Sequence, residues 1–183
     1  MMDSASSPQV FSYRNKGIDK KQGSSENKTV RFRLGEKMID YTEIPYNSDL
    51  WELFARDFLQ KLGFHIESPP DRGADGGKDM LVTEEIQGPV FKGRFRWLVS
   101  CKHYATSGKA VNETDDEPNI LERMKSFKAG GFLGFYSTLA SAGLNTRLRQ
   151  LRENENIEQY RVFDHKLIEN YLVPFLINKF QFC

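Results

Sequence analysis

Apolar and polar positions change period along the chain, and the changes mark out its elements. Leu50, Leu53, Phe54, Phe58, Leu59 and Leu62 recur at helical spacing, which predicts a helix from near Asp49 to Gly63, capped by Ser48 or Asn47. Phe64 to Glu67 reads as a strand, and Pro69, Pro70 and Gly73 break it. Lys78 to Thr83 predicts a second strand, Glu84 to Gly93 a turn region or extended hairpin tip with Gly88 and Pro89, and Arg94 to Tyr104 a long third strand. Ile120, Leu121, Met124 and Phe127 form the apolar face of a helix from Glu117 or Pro118 to Lys128. Phe132 to Tyr136 is nearly all apolar, as expected of a strand buried on both faces. A helix over 143–153 turns Leu144, Leu148 and Leu151 inward, and Tyr160 to Phe163 gives a last strand. Asp164 is placed to cap a final helix through Phe175, kinked or ended by Pro174.

Strands alternating with helices imply an α/β fold, a three-layer sandwich with a central mixed β-sheet flanked by helices. Residues 41–183 make that domain. Residues 1–40 read as a flexible basic extension, with eight basic residues against three acids between Arg14 and Lys37. Within it Val30, Phe32 and Leu34 alternate with Arg31 and Arg33 in a short strand pattern.

A length of 183 residues suits one hydrophobic core, and the formal charge of +1 does not by itself announce a polyanion partner. The distribution of charge is more informative. Gly88 to Asn112 contains no acid and five cations, Lys92, Arg94, Arg96, Lys102 and Lys109, before Glu113 to Glu117 turns acidic. Cys101 and Cys183 show no metal-ligand spacing; Cys101 reads as a small buried apolar residue, and so few cysteines suit a reducing, cytoplasmic setting. No stretch reads as an export signal or as a membrane span.

The stretch from Asp71 to Tyr104 carries the candidate chemistry. Alternation puts Ser100 and Lys102 on one face of their strand, and Asp79 on the neighbouring strand can point to the same side. Glu52 arrives from the preceding helix. A carboxylate pair beside an ammonium suits a divalent cation and a phosphodiester. Taken singly, each of these residues has a plainer reading: a turn aspartate, a strand-end lysine, an exposed helix acid. Other sites are excluded more easily. ATSGKAV lacks the glycine spacing and the hydroxyl residue of a P-loop, and His65, His103 and His165 have no zinc-ligand spacing; His103, on the strand face opposite Lys102, is expected to pack or bond structurally. Lys92, Arg94, Arg96 and Lys109 are the candidate phosphate contacts, with Arg147, Arg149 and Arg152 as second choices.

WELFARDFLQKLG, GADGGKD and SCK, in that order, resemble the helix, the Gly-rich segment and the lysine strand of Mrr-like restriction endonuclease domains in the PD-(D/E)xK nuclease superfamily. The resemblance covers roughly Asp49 to Phe175. It implies a restriction-endonuclease-like fold and a metal-dependent DNA endonuclease of restriction or phage defence. Glu52, Asp79 and Lys102 would be catalytic, and Asp75 structural. It implies Mg²⁺, or Mn²⁺ in its place, held by Asp79, the Cys101 backbone carbonyl and Glu52 through water. Ser137 and Thr138 match the hydroxyls placed near the substrate. DNA is the implied partner, with a homodimer or a separate recognition or effector subunit to be considered. Ser100 departs from the pattern, standing where the family carries Gln or Glu. It supports an alternative reading, a catalytically weak nucleic-acid-binding or regulatory module.

Overall fold

The computed structural model describes residues 10–11, 30–31, 39–45, 49–70 and 78–180, with 10–11, 30–31 and 173–180 as backbone only. The chain divides into two compact units, Met1–Asp40 and Tyr41–Cys183. In the first, β1 (Val10–Phe11) pairs antiparallel with β2 (Val30–Arg31). The expected flexible tail, and Phe32 and Leu34 of its strand pattern, lie outside the described residues, as do Ser48, Asn47, Asp75 and Cys183.

The second unit is built on a five-stranded mixed sheet in the order β3-β4-β5-β6-β7. These strands are His65–Ser68, Met80–Gln87, Lys92–Lys102, Gly131–Tyr136 and Gln159–Phe163. The first three pair antiparallel, and β5, β6 and β7 run parallel. Helix α1 spans Leu50–Lys61, α2 Ile120–Ser126, α3 Ala142–Glu153 and α4 His165–Phe180. All six residues of β6 are buried, as its composition predicts for a strand covered on both faces.

Alternation along the strands sorts the two cores. Leu98, Phe132 and Tyr136 face α2 and α3 and pack with Ile120, Met124, Leu144, Leu148 and Leu151. Phe135 and Phe163 point the other way, into an aromatic layer with Trp51, Phe54 and Phe58 of α1 and Tyr171 of α4. Burial of Phe58, Phe135 and Phe163 contributes about 1.5–3 kcal/mol each. The Trp51 indole also donates to the Phe135 carbonyl at 3.1 Å, which fixes where α1 crosses the sheet. The α/β three-layer sandwich expected from the sequence is therefore present. Among the described residues no helix is long and apolar enough to cross a membrane.

Three boundaries differ from expectation. The segment from Glu84 to Gly93 is mostly strand, because Glu84 to Gln87 pair residue by residue with Lys92 to Phe95. Helix α2 starts only at Ile120, since Asn119 adopts a left-handed backbone (φ 53°) that no helix continues. Helix α4 runs past Pro174 to Phe180.

Candidate active site at the open end of the β4–β5 hairpin

The hairpin β4–β5 sets the geometry of the candidate residues. Met80 lies opposite Val99, and the Asp79 N–H donates to the Val99 carbonyl at 3.1 Å, so Asp79 stands beside Ser100 at the open end of the hairpin. Leu81 and Leu98 both pack against the α2–α3 core. By alternation Asp79, Ser100 and Lys102 share that face. The Asp79 Oδ2 accepts the backbone N–H of Cys101, which tethers the carboxylate across the hairpin.

Glu52 comes from the first turn of α1, on the other face of the sheet. The buried Cys101 thiol registers all three charged groups. Burial pushes its pKa well up, the Asp79 and Glu52 carboxylates push it further, and the Lys102 ammonium opposes them. Asp79 is bonded to the Cys101 N–H and Lys102 follows Cys101 directly in β5, while Glu52 approaches from the opposite face of the sheet.

Ser100 is fully buried, and its Oγ has no hydrogen-bond partner. Neighbouring β6 offers it none, because Gly134 lies opposite and the Tyr136 ring folds back over that glycine. Among the described residues no three His, Cys, Asp or Glu side chains converge as a metal cluster.

The remaining candidates separate from this centre. Lys92 is the first residue of β5 and Lys102 the last, which at about 3.3 Å per residue puts them about 33 Å apart. Arg94 lies 3.9 Å from Glu85, both well exposed. Arg96 pairs with Glu67 at 2.5 Å and donates to the Phe127 carbonyl. The Ser137 Oγ accepts the Tyr104 N–H at 2.8 Å, and the Thr138 hydroxyl donates to the Lys109 carbonyl at 2.7 Å. Both hydroxyl residues are buried, so they brace the loop after β5 rather than facing solvent. The Lys109 ammonium sits over the Tyr104 ring and pairs with Asp116 at 3.0 Å. Arg147, Arg149 and Arg152 are exposed on α3. His103 stacks on Trp51 and bonds the Ile44 carbonyl through Nε2, the structural role expected of it.

Sequence reasoning missed two buried acids beneath this site. Asp116 accepts from the Tyr104 hydroxyl at 2.7 Å, from Lys109, and from the Asn112 N–H at 2.9 Å. Burial works against its ionised form, but those three donors hold its carboxyl below the usual value. Burial and the bond to Asp116 in turn push Tyr104 up to about 12. Glu117 is almost fully buried; it pairs with Arg123 at 2.7 Å and accepts the Tyr136 hydroxyl at 2.9 Å. The only signal was the adjacency of Asp116 and Glu117 before Pro118, in a run that reads as solvated acid.

No family model and no curated protein matches the chain. Two solved structures are similar to it. The DNA modification-dependent restriction endonuclease AspBHI is 14% identical with a TM-score of 0.49, over 70% of this chain and 31% of that one. The MspJI restriction endonuclease in complex with a 27-mer oligonucleotide is 12% identical with a TM-score of 0.46, over 70% of this chain and 28% of that one. The chain thus matches less than a third of either structure. The chemistry rests on the residues themselves.

Proposed function

We propose that this domain is a metal-dependent endonuclease acting on DNA, with Asp79, Lys102 and Glu52 as its catalytic residues. The observation that carries the reading is that Asp79, bonded to the Cys101 N–H, shares one face of the hairpin end with Lys102.

The donors on offer, two carboxylates and the Cys101 carbonyl, are all oxygens, which suits Mg²⁺ or Mn²⁺ and not zinc. Among the described residues two acids are on offer, so water and a substrate phosphate would complete the shell. When bound, the cation neutralises charge on the phosphoryl oxygens and lowers the pKa of a coordinated water. Asp79 is pre-oriented for this role, since the Cys101 N–H fixes one of its oxygens and removes rotamer freedom before any ligand arrives. Lys102 supplies a positive charge on the same face, where it orients the attacking water or stabilises the charge growing in the transition state. Glu52, on α1 at the other face of the sheet, would act only through water. A role in restriction or phage defence, with a homodimer or a separate recognition subunit, extends the same reading.

A second reading has its own observation. Ser100 places a short neutral hydroxyl where a third oxygen ligand would complete the set, as in a domain that holds DNA without cutting it.

The test is cleavage of supercoiled, linear and methylated DNA with Mg²⁺ or Mn²⁺, comparing the native chain with Asp79→Ala and Lys102→Ala. Removing either group should lower the rate by about 10²-fold or more. Binding of all three DNAs without cleavage would move the assignment to the second reading. Cleavage that survives both substitutions would sink the site.

A further inference from the structure

The β4–β5 hairpin extends beyond the sheet that carries the candidate site. The last residue of β4 paired to β3 is Thr83, and the first of β5 paired to β6 is Trp97. In the backbone ladder the pairs from Glu84–Phe95 to Gln87–Lys92 therefore have only each other, as a two-stranded ribbon whose root is held by the Trp97 indole donating to the Glu84 carboxylate at 3.1 Å. Four residues at about 3.4 Å each give it a length of roughly 14 Å. The Gly88 N–H closes its tip onto the Phe91 carbonyl at 2.8 Å.

The tip is apolar where solvent exposure argues for polar residues. Val90 is wholly exposed, Phe91 is 65% exposed and Ile86 43%. The Phe91 ring lies over Gly93, where a side chain would collide with it. Lys92 and Arg94 flank the tip, with no acid between Ile86 and Arg94 and with Glu85 3.9 Å from Arg94 across the ribbon.

We propose that this ribbon enters a groove of duplex DNA, with Val90 and Phe91 against base edges and Lys92 and Arg94 on the bordering phosphates. The major groove is about 12 Å wide and admits a two-stranded β-ribbon, and its thymine methyls accept apolar side chains. The flanking cations match the phosphate rails and give the contact its salt dependence. Lys92, which borders the tip, lies about 33 Å from Lys102 along β5, close to the pitch of one duplex turn. One duplex spanning both ends of the strand presents the groove at the tip about ten base pairs from the phosphate at Lys102. The inference rests on the DNA reading above and adds to it a recognition element separate from the chemistry.

The experiment measures binding of the full chain to a labelled duplex of about 24 base pairs across a salt series, without divalent cation. Three proteins are compared: native, Val90→Ser/Phe91→Ser, and Lys92→Gln/Arg94→Gln. Thermal melts establish that the variants fold. Loss of the apolar tip should weaken binding about tenfold with the salt slope unchanged. Loss of the cations should lower the log–log slope by about 2. If the native protein binds and both variants match it, the ribbon proposal is overturned while the nuclease reading stands. If the tip variant binds DNA normally but loses self-association, the tip is a protein contact and the proposal is equally overturned. If the native chain neither binds nor cuts DNA, both readings fall.

Discussion

Glu117 offers the sharpest test of what holds the site together from below. Its carboxylate is buried, it pairs with an Arg123 whose side chain is only 11% exposed, and it accepts the hydroxyl of the fully buried Tyr136. Glu117→Leu leaves the guanidinium without its counter-charge and the phenol without its acceptor. Breaking a buried pair from one side costs about 3–5 kcal/mol. The orphaned hydroxyl adds about 1–3 kcal/mol, partly counted in the same loss. A total of about 4 kcal/mol is expected, which for a chain of this length lowers Tm by roughly 8–16 °C. Urea titration followed by circular dichroism reads the free energy directly. The decisive comparison is the triple variant Glu117→Leu/Arg123→Met/Tyr136→Phe, which removes every polar member together. An apolar replacement of a buried ion pair is often near neutral, so the triple variant should recover most of what the single one loses. The reasoning is refuted if the single variant stays within about 1 kcal/mol of native, or if the triple is no better than the single.

Ser100→Ala removes a buried hydroxyl that has no partner, so it should raise stability by about 1 kcal/mol; a clear loss would mean that Oγ bonds an ordered water or an ion. The folded-state pKa of Asp116 is depressed, so its contribution is complete above its unfolded value of about 4 and disappears as pH falls through the lower folded value. Acid unfolding should therefore begin below about pH 4 and lose part of its pH dependence in Asp116→Asn; an unchanged profile would contradict the assignment. Tyr104 is raised, so its contribution is complete below its unfolded value of about 10 and is lost as pH climbs through about 12. Absorbance titration should show Tyr104, like Tyr41 and Tyr136, staying un-ionised near pH 10 in the folded chain, and Tyr104→Phe should reduce the shortfall of phenolates by one.

Much of this architecture is legible in the sequence because period alone reports it. The stripe from Leu50 to Leu62 marks α1, and the all-apolar β6 announces burial on both faces. The shared face of Asp79, Ser100 and Lys102 also follows from alternation, once the two strands pair in register. What the sequence hides is the choice of partner. Ser137, Thr138 and Lys109 carry the groups of phosphate ligands, yet each is taken up by the loop that closes over the end of β5. Their bonds span some 30 residues or depend on a buried acid, neither of which leaves a local pattern. The ribbon was obscured for a different reason: Gly88 and Pro89 signal a turn, while the strands beside them are polar enough to pass for loop.

The β4–β5 hairpin also bears on how the chain folds. It pairs strands adjacent in sequence across a short turn, whereas β6 and β7 must wait for crossovers through α2 and α3. Local hairpins form in about 1–10 μs, and non-local parallel pairing is slower because loop-closure entropy comes first. Asp79 and Lys102 both flank this hairpin, so their approach is settled in the earliest unit to form. Variants that slow docking of α2 or α3 should then delay burial of the site without altering the register that brings the two together.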